Sequence, residues 1–404
     1  MFEHHRVEAF DGVFHVPDFD TYPALFAWDS GYHALSLRHL QPELAIGELS
    51  TLYEANRLPD GLLSHQRFVP GAEDAQRMIE DLFGPMFEGD RTPFVDPPTA
   101  AYAAARLSAS LGGPAAHLLD AALENLRGLA SYRVVGDGVL PAALHPFETG
   151  TEGNPFTGPL AQGKGPLDLT RLKELTVSAV SCGMSPQRAL SEGHDFVVYD
   201  PTVCGWYLLA LEEAASACAV SGREADGDWA TRTAREVADA AVALLWSESD
   251  HLFGAYDLVS RRRLDGVGAM GLIPAATTAM VERGLSAAVA DSHLRPDAPM
   301  WGPRGFAAGT VHPDAGVRDF VQWDGNAVWG ATVYWAHLLA LRLGRRRDAQ
   351  RLRRQLEELI VVHGFREFYD AWHGEPGGAG ARFGFTWPAL VLEMAAGEEA
   401  LPGR

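Results

Sequence analysis

The sequence predicts an all-α fold: an α/α toroid with long loops gathered at one end and a small β-hairpin. Three observations predict it. Apolar residues recur at three-to-four spacing in about ten to twelve separate segments, the mark of amphipathic helices. No βαβ alternation, coiled-coil heptad or low-complexity tract interrupts them. The longest stretches between helices, Arg133–Gly165, His293–Val321 and Gly364–Gly384, concentrate Gly, Pro, aromatic and carboxylate residues. Long ordered loops of that composition usually carry function.

In chain order the predicted helices are Pro42–Asn56, a shorter Asp74–Leu82, Pro97–Leu111, Ala115–Ser131, Pro166–Gly183, Pro201–Ser221, Asp228–Trp246, Leu272–Ala290, Gly325–Leu343, Arg346–Val362 and a last one from about Trp387 to Ala396. Pro97, Pro166 and Pro201 suit a first helical turn, where a missing N–H costs nothing, and several segments stop at Gly. Strand signal is scarce. The best case is Phe253–Leu258 followed by Arg261–Gly266, read as a hairpin. No Pro/Gly/Ser-rich linker divides the chain, so residues 1–404 read as one domain, with 1–25 an atypical N-terminal extension and a first barrel helix either missing or replaced by it.

Composition bounds the function. Of 404 residues, 47 % are hydrophobic and 21 % charged, the balance of a soluble globular protein. Lys plus Arg is 33 and Asp plus Glu is 53, so the formal charge is 33 − 53 = −20. A surface that acidic repels nucleic acid and anionic lipid, and general affinity for either is excluded. The apolar runs read as shorter than a membrane span and the N-terminus lacks a signal-peptide core, so the expected location is cytoplasmic. Cys182, Cys204 and Cys218 have no CxxC spacing and read as reduced thiols packed in helices. Oligomeric state is not written in the sequence.

Four segments combine carboxylates with aromatics. Phe26–Leu37 (FAWDSGYHALSL) places Trp28 and Asp29 at a helix start, where Asp29 reads first as an N-cap. Leu144–Pro155 (LHPFETGTEGNP) is a glycine-rich loop with Glu148 and Glu152 four residues apart. Val321–Trp335 (VQWDGNAVWGATVYW) sets Gln322, Trp323 and Asp324 before a helix, with Asp324 as a cap and Asn326 and Trp329 on its first turns. Gly364–Trp387 holds Glu367 and Asp370 among Phe365, Phe368, Tyr369 and Trp372. A carboxylate in that apolar setting is expensive unless it is paired, with Arg366 or Arg382, or functional.

Other chemistries lack their signatures: there is no HExxH, GxSxG, P-loop, GxGxxG or His/Cys metal spacing. His4 and His5 read as a mobile terminus, whereas His33, His65 and His145 lie near the motifs. Trp28, Trp301, Trp323, Trp329, Trp372 and Trp387 fall in or beside loops, a placement that core packing explains for some and that also fits a sugar-stacking cleft. Paired carboxylates with aromatics are the equipment of glycoside hydrolysis, in which one acid protonates the leaving oxygen and one base activates water.

These motifs resemble, in order and over about 360 residues, the α-glycosidases of the (α/α)6-barrel clan, in particular glycoside hydrolase family 63 in its short bacterial mannosylglycerate and glucosylglycerate hydrolase branch, with the trehalases more distant. WDSGYHAL resembles the family's WDSAFHA, NRLPDGLLSH its PDGxxPH, LHPFETGTEGNP its HPWESGMDNSP, MWGPRGF its FWGP, and the segment Gly364–Trp387 its E-Y-Y…G…F-x-W-T signature. The resemblance implies Glu152 as general acid, Glu367 as general base, an inverting mechanism and no metal or organic cofactor. Three departures stand out. Glu152 occupies a position where the family has Asp, Gly153-Asn154 replaces Asn-Ser, and QWDGNAVW replaces YWRGPVW, exchanging an Arg for Asp324 in a manner closer to the QWD of trehalases.

The sequence therefore reads as an inverting glycoside hydrolase acting on a small α-linked glucoside or mannoside. Trp28, Asp29, Gln322, Trp323, Asp324 and Trp387 would hold the sugar, and His65, His145, Glu148, Asp200, Trp301, Trp329 and Tyr369 are further candidates for substrate contact. Two rivals share the residues: a toroid turned to isomerisation, dehydration or cyclisation of a sugar-like or apolar metabolite, motivated by Glu152 and Asp324, and an inactive carbohydrate-binding protein.

Overall fold

The computed structural model describes residues 1–161, 168–314, 323–377 and 384–401. Helix Pro201–Ser221 is the centre of its packing. Asp200 caps it by accepting the Thr202 N–H at 2.8 Å, Pro201 occupies the first turn, and left-handed Gly222 (φ 70°) ends it. Among the described residues it alone is long and apolar enough to cross a membrane, with a mean hydropathy of 1.3 over its best window. Helices Thr99–Leu111, Glu224–Leu245 and Leu272–Ala275 cover it, which is why a helix apolar all round is stable here.

From that centre the helices pair into a closed ring, the (α/α)6 arrangement. Thr99–Leu111 packs on Ala116–Tyr132 and on Ala27–Leu37, and Ala27–Leu37 on Pro42–Ala55. On the other side Gly330–Arg342 packs on Arg346–His363. Residues Trp387–Leu390 then return to Ala27–Leu37, closing the ring from the end of the chain to its beginning. Two glycines permit the close approaches. A Cβ on Gly31 would lie 2.6 Å from the Thr99 hydroxyl and 2.8 Å from the Ala100 nitrogen, and one on Gly330 would lie 2.8 Å from the Trp387 backbone.

Most predicted helices are present with their ends moved by a few residues: Pro42–Ala55, Glu73–Phe83, Thr99–Leu111, Ala116–Tyr132, Leu169–Ser181, Glu224–Leu245 and Arg346–His363. Two differ in kind. The predicted helix Leu272–Ala290 is three pieces, Leu272–Ala275, Thr278–Glu282 and Leu285–His293, because Thr277 caps a new start and Gly284 turns left-handed (φ 76°). The predicted helix from Gly325 begins only at Gly330, because Ala327–Trp329 forms a strand paired antiparallel with Phe368–Asp370. The predicted hairpin exists as Ala255–Asp257 against Arg262–Leu264.

Residues 1–25 fold as a short helix Phe2–His5 and a hairpin, Arg6–Ala9 with Gly12–His15, and His5 is buried rather than part of a loose terminus. Two small sheets carry the site. Ala24–Phe26 pairs with Gln66–Phe68, bringing Trp28 beside His65, and the 327–329/368–370 pair brings Glu367 beside the Trp323 loop. The three cysteines are free and buried.

Candidate active site

Asp29 is the third residue of helix Ala27–Leu37, not its cap; Phe26 occupies the cap position. Its carboxyl is buried and accepts the indole N–H of Trp387 at 2.5 Å. Burial, reinforced by the neighbouring Asp96, holds its proton affinity well above the usual carboxylate range. Asp96 accepts the Trp28 backbone N–H at 2.9 Å through Oδ2 and pairs with His65 Nδ1 at 2.5 Å through Oδ1. The His65 ring lies parallel to Phe147 and edge-on to Phe26. Burial opposes the charge on His65, but Asp96, Glu152 and Asp29 together outweigh it and raise its pKa.

Glu152 sits on a loop fixed at both sides. Upstream, the Glu148 carboxylate accepts the backbone N–H groups of Leu144 (2.7 Å) and Val95 (3.1 Å) and pairs with buried Arg133. Gly150 (φ 65°) lets the Trp28 ring lie where a Cβ would come within 3.3 Å of it. Downstream, Asn154 accepts the N–H groups of Phe156 and Thr157, both at 2.9 Å, and donates to Asp200. Between these anchors burial pushes the Glu152 carboxyl up to about 7, against its own backbone N–H, the charge of His65 and a hydrogen bond from Trp323. A carboxyl with that pKa holds a proton it can donate near neutrality.

Trp323 is stacked on Trp329 (4.2 Å between centroids, 8° between planes) and lies within 5.5 Å of Trp387, which in turn packs on Trp28. Glu367 is buried and its Oε1 accepts the Tyr22 hydroxyl at 2.8 Å. Tyr22 is wedged edge-on between Phe26 and Phe385. Burial, then Glu367, Glu152 and Asp29, raise its pKa well above that of a free phenol. One hydroxyl thus senses both candidate catalytic carboxylates and Asp29, and stays a donor.

The structure gathers Trp28, Asp29, His65, Glu152, Trp323, Trp329, Glu367 and Trp387 into one cluster. It gives other predicted contacts to the scaffold. His145 is buried, stacked on Phe94, and pushed down to about 3 by burial; its ring accepts the Phe147 N–H, and Thr176 and the Leu172 carbonyl flank the other nitrogen. Glu148 and Asp200 spend their oxygens on the loop and the helix cap described above. Tyr369 donates to the Gly364 carbonyl, and Trp301 to that of His293. Asp324 is exposed and accepts the Gly325 N–H at 2.6 Å, so it caps no helix. Trp372 is exposed. Gln322 and Arg382 lie outside the described residues.

Sequence reasoning missed Tyr22 and Asp96. Their signals were faint: a tyrosine seven positions before Asp29 in TYPALFAWD, and an aspartate ahead of two prolines in FVDPPT.

A ring of paired helices whose loops set two glutamates among stacked tryptophans is the architecture of an (α/α)6 glycoside hydrolase. The chain belongs to the mannosylglycerate hydrolase MGH1-like glycoside hydrolase domain family, whose profile matches residues 22–387. Among solved structures it is similar to the GH63 mannosylglycerate hydrolase from Thermus thermophilus in complex with Tris, at 21 % identity, TM-score 0.78, and coverage of 95 % of this chain and 96 % of that one. The same enzyme in complex with glucose superposes with TM-score 0.74 at 22 % identity, covering 95 % of each chain. Neutral trehalase Nth1 from Saccharomyces cerevisiae shares the fold at 15 % identity and TM-score 0.59, over 98 % of this chain and 77 % of that one. No curated protein sequence matches the chain.

Proposed function

We propose that this hydrolase inverts the anomeric centre of a small α-linked glucoside or mannoside, with Glu152 as general acid and Glu367 as general base. The observation that carries the reading is the split between the two carboxyls. Glu152 is held protonated up to about pH 7 by burial, while Glu367 is oriented by the Tyr22 hydroxyl. The sugar ring stacks on the tryptophan wall, and Asp29 and His65 take its hydroxyls. A water held by Glu367 attacks the anomeric carbon as its proton passes to that carboxylate. The glycosidic C–O bond breaks as the Glu152 proton moves to the leaving oxygen. Exchange of one proton with solvent resets the pair. Below about pH 7 the acid is loaded, and activity falls above it.

The leaving group we infer is neutral and polyhydroxylated. Asp324 follows Trp323, whose side chain hydrogen-bonds Glu152, and we assign its exposed carboxylate to the leaving-group side. Gly309 backs the Asp324 carboxylate so closely that a Cβ there would lie 2.0 Å from Oδ1. An anionic aglycone meets a like charge at this point. The test is a panel containing a neutral glucosyl or mannosyl disaccharide and the matching glycosylglycerates. The neutral substrate should have the higher kcat/KM, and Asp324→Arg should shift preference toward the glycerate. Equal kinetics on both substrates in the wild type would overturn the leaving-group assignment, and conversion without water uptake would overturn hydrolysis.

A further inference from the structure

Asp29 and His33 lie one turn apart on one face of helix Ala27–Leu37, and they hold two consecutive residues from the far end of the chain. Asp29 accepts the Trp387 indole N–H at 2.5 Å, and His33 Nε2 meets the Thr386 hydroxyl at 2.7 Å. Behind His33 stands Glu48. Its Oε1 lies 3.1 Å from His33 Nδ1, and its Oε2 accepts His15 Nδ1 at 2.8 Å and the His15 backbone N–H at 2.9 Å. Phe2 from the N-terminal helix closes over both imidazoles edge-on, at 5.3 and 6.0 Å.

The chain of donors fixes the tautomers. Glu48 is ionised, pulled down to about 2 by its hydrogen bonds to His15 and His33 against the cost of burial, so it accepts only. His33 therefore carries its hydrogen on Nδ1, its Nε2 accepts, and the Thr386 hydroxyl donates. Hydroxyl, imidazole and carboxylate stand in the order of a hydrolase triad. Thr386, His33 and Glu48 are only 1 %, 1 % and 0 % exposed, however, so no substrate reaches the hydroxyl and no nucleophilic role exists.

We propose that Glu48, His33 and Thr386 form a positioning device that fixes the Thr386–Trp387 segment, so that the Trp387 indole holds Asp29 in its sugar-binding orientation. The device rests on the glycoside hydrolase reading for its purpose, but not for its geometry. It gives the N-terminal extension a function: His15 and Phe2 complete and seal a hydrogen-bond chain that ends at Thr386, the neighbour of Trp387.

The test removes one hydroxyl. Thr386→Val keeps the shape of the side chain, Thr386→Ser keeps its hydroxyl, and Thr386→Ala is a second, smaller probe should the valine variant fold poorly. Two measurements are made on each. The first is the Trp387 indole N–H resonance in a 1H–15N spectrum, assigned with Trp387→Phe. The second is kcat/KM on the best glycoside, in the wild-type and Asp29→Asn backgrounds. The resonance should move upfield in the valine and alanine variants and stay in place in the serine variant. The loss of kcat/KM should be about tenfold in the wild-type background and vanish in the Asp29→Asn background, as expected of residues that act as a unit. An unmoved resonance, or an equal loss in both backgrounds, overturns the proposal. If no glycoside is turned over, the hydrolase reading fails by itself, and the resonance still decides the positioning device.

Discussion

Glu48 is fully buried and Glu152 half-buried, and their carboxyls are driven in opposite directions, Glu48 down to about 2 and Glu152 up to about 7. Burial pushes both upward. The difference is the supply of donors. Glu48 receives two imidazole N–H groups and one backbone N–H at 2.8–3.1 Å, enough to reverse the effect of burial. Glu152 receives one indole and its own backbone N–H, with the charge of His65 nearby, and burial prevails. Glu148, four residues before Glu152, is also well supplied with hydrogen-bond donors: its oxygens take two backbone N–H groups and an arginine. Within one loop, the carboxylate that is fully supplied with donors builds the scaffold, and the one left short of them is available for chemistry.

The comparison can be broken at several points. The largest effect is expected at the base. Glu367→Gln should lower kcat by about 10²–10⁴-fold with the fold and sugar affinity retained, because Gln keeps the shape but cannot take a proton from water. Steady-state kinetics with a binding titration would show this, and near-wild-type kcat would remove Glu367 from the mechanism.

Next is the structural member of the contrast. Glu48→Gln leaves a buried imidazole N–H facing an amide and should cost about 3 kcal/mol at pH 7. The sign with pH follows from the depressed carboxyl. The stabilisation by ionised Glu48 is complete above its unfolded pKa, near 4.5, and is lost as pH falls toward about 2. The gap between wild type and variant in urea melts should therefore narrow between pH 6 and pH 3. A gap independent of pH would show that Glu48 acts by packing and not by charge.

The smallest effect concerns Tyr22. Tyr22→Phe keeps the ring between Phe26 and Phe385 and deletes only the hydroxyl on Glu367. Loss of an orienting hydrogen bond should cost about tenfold in kcat/KM with little change in Tm. Unchanged kinetics would mean the bond does not orient the base.

The helices were legible because their periodicity and caps are local. Pro201 and Asp200 mark a helix start that the structure shows. What failed was decided elsewhere in the chain. Ala327–Trp329 fits a helical pattern, but pairing with Phe368–Asp370, some forty residues on, makes it a strand and leaves Asp324 capping nothing. Asp29 was read as a cap, and lies in the same first turn, three positions inside. The partner that gives it another role, Trp387, is 358 residues away. Motif order brought Glu152 and Glu367 forward as candidates. Tyr22, Asp96 and the Glu48 network carry no motif, since their importance lies in contacts that exist only once the ring has closed.

The central claim is that Glu152, short of donors and therefore protonated, supplies the leaving-group proton. The most direct measurement is kcat/KM of wild type and Glu152→Gln on a series of α-glucosides and α-mannosides whose leaving groups span poor alkyl alcohols to activated aryl groups and fluoride. In the wild type the rate should depend weakly on the leaving group. In the variant it should collapse for alkyl glycosides and recover progressively toward the fluoride, which needs no proton. A variant that tracks the wild type in parallel across the whole series would contradict the assignment.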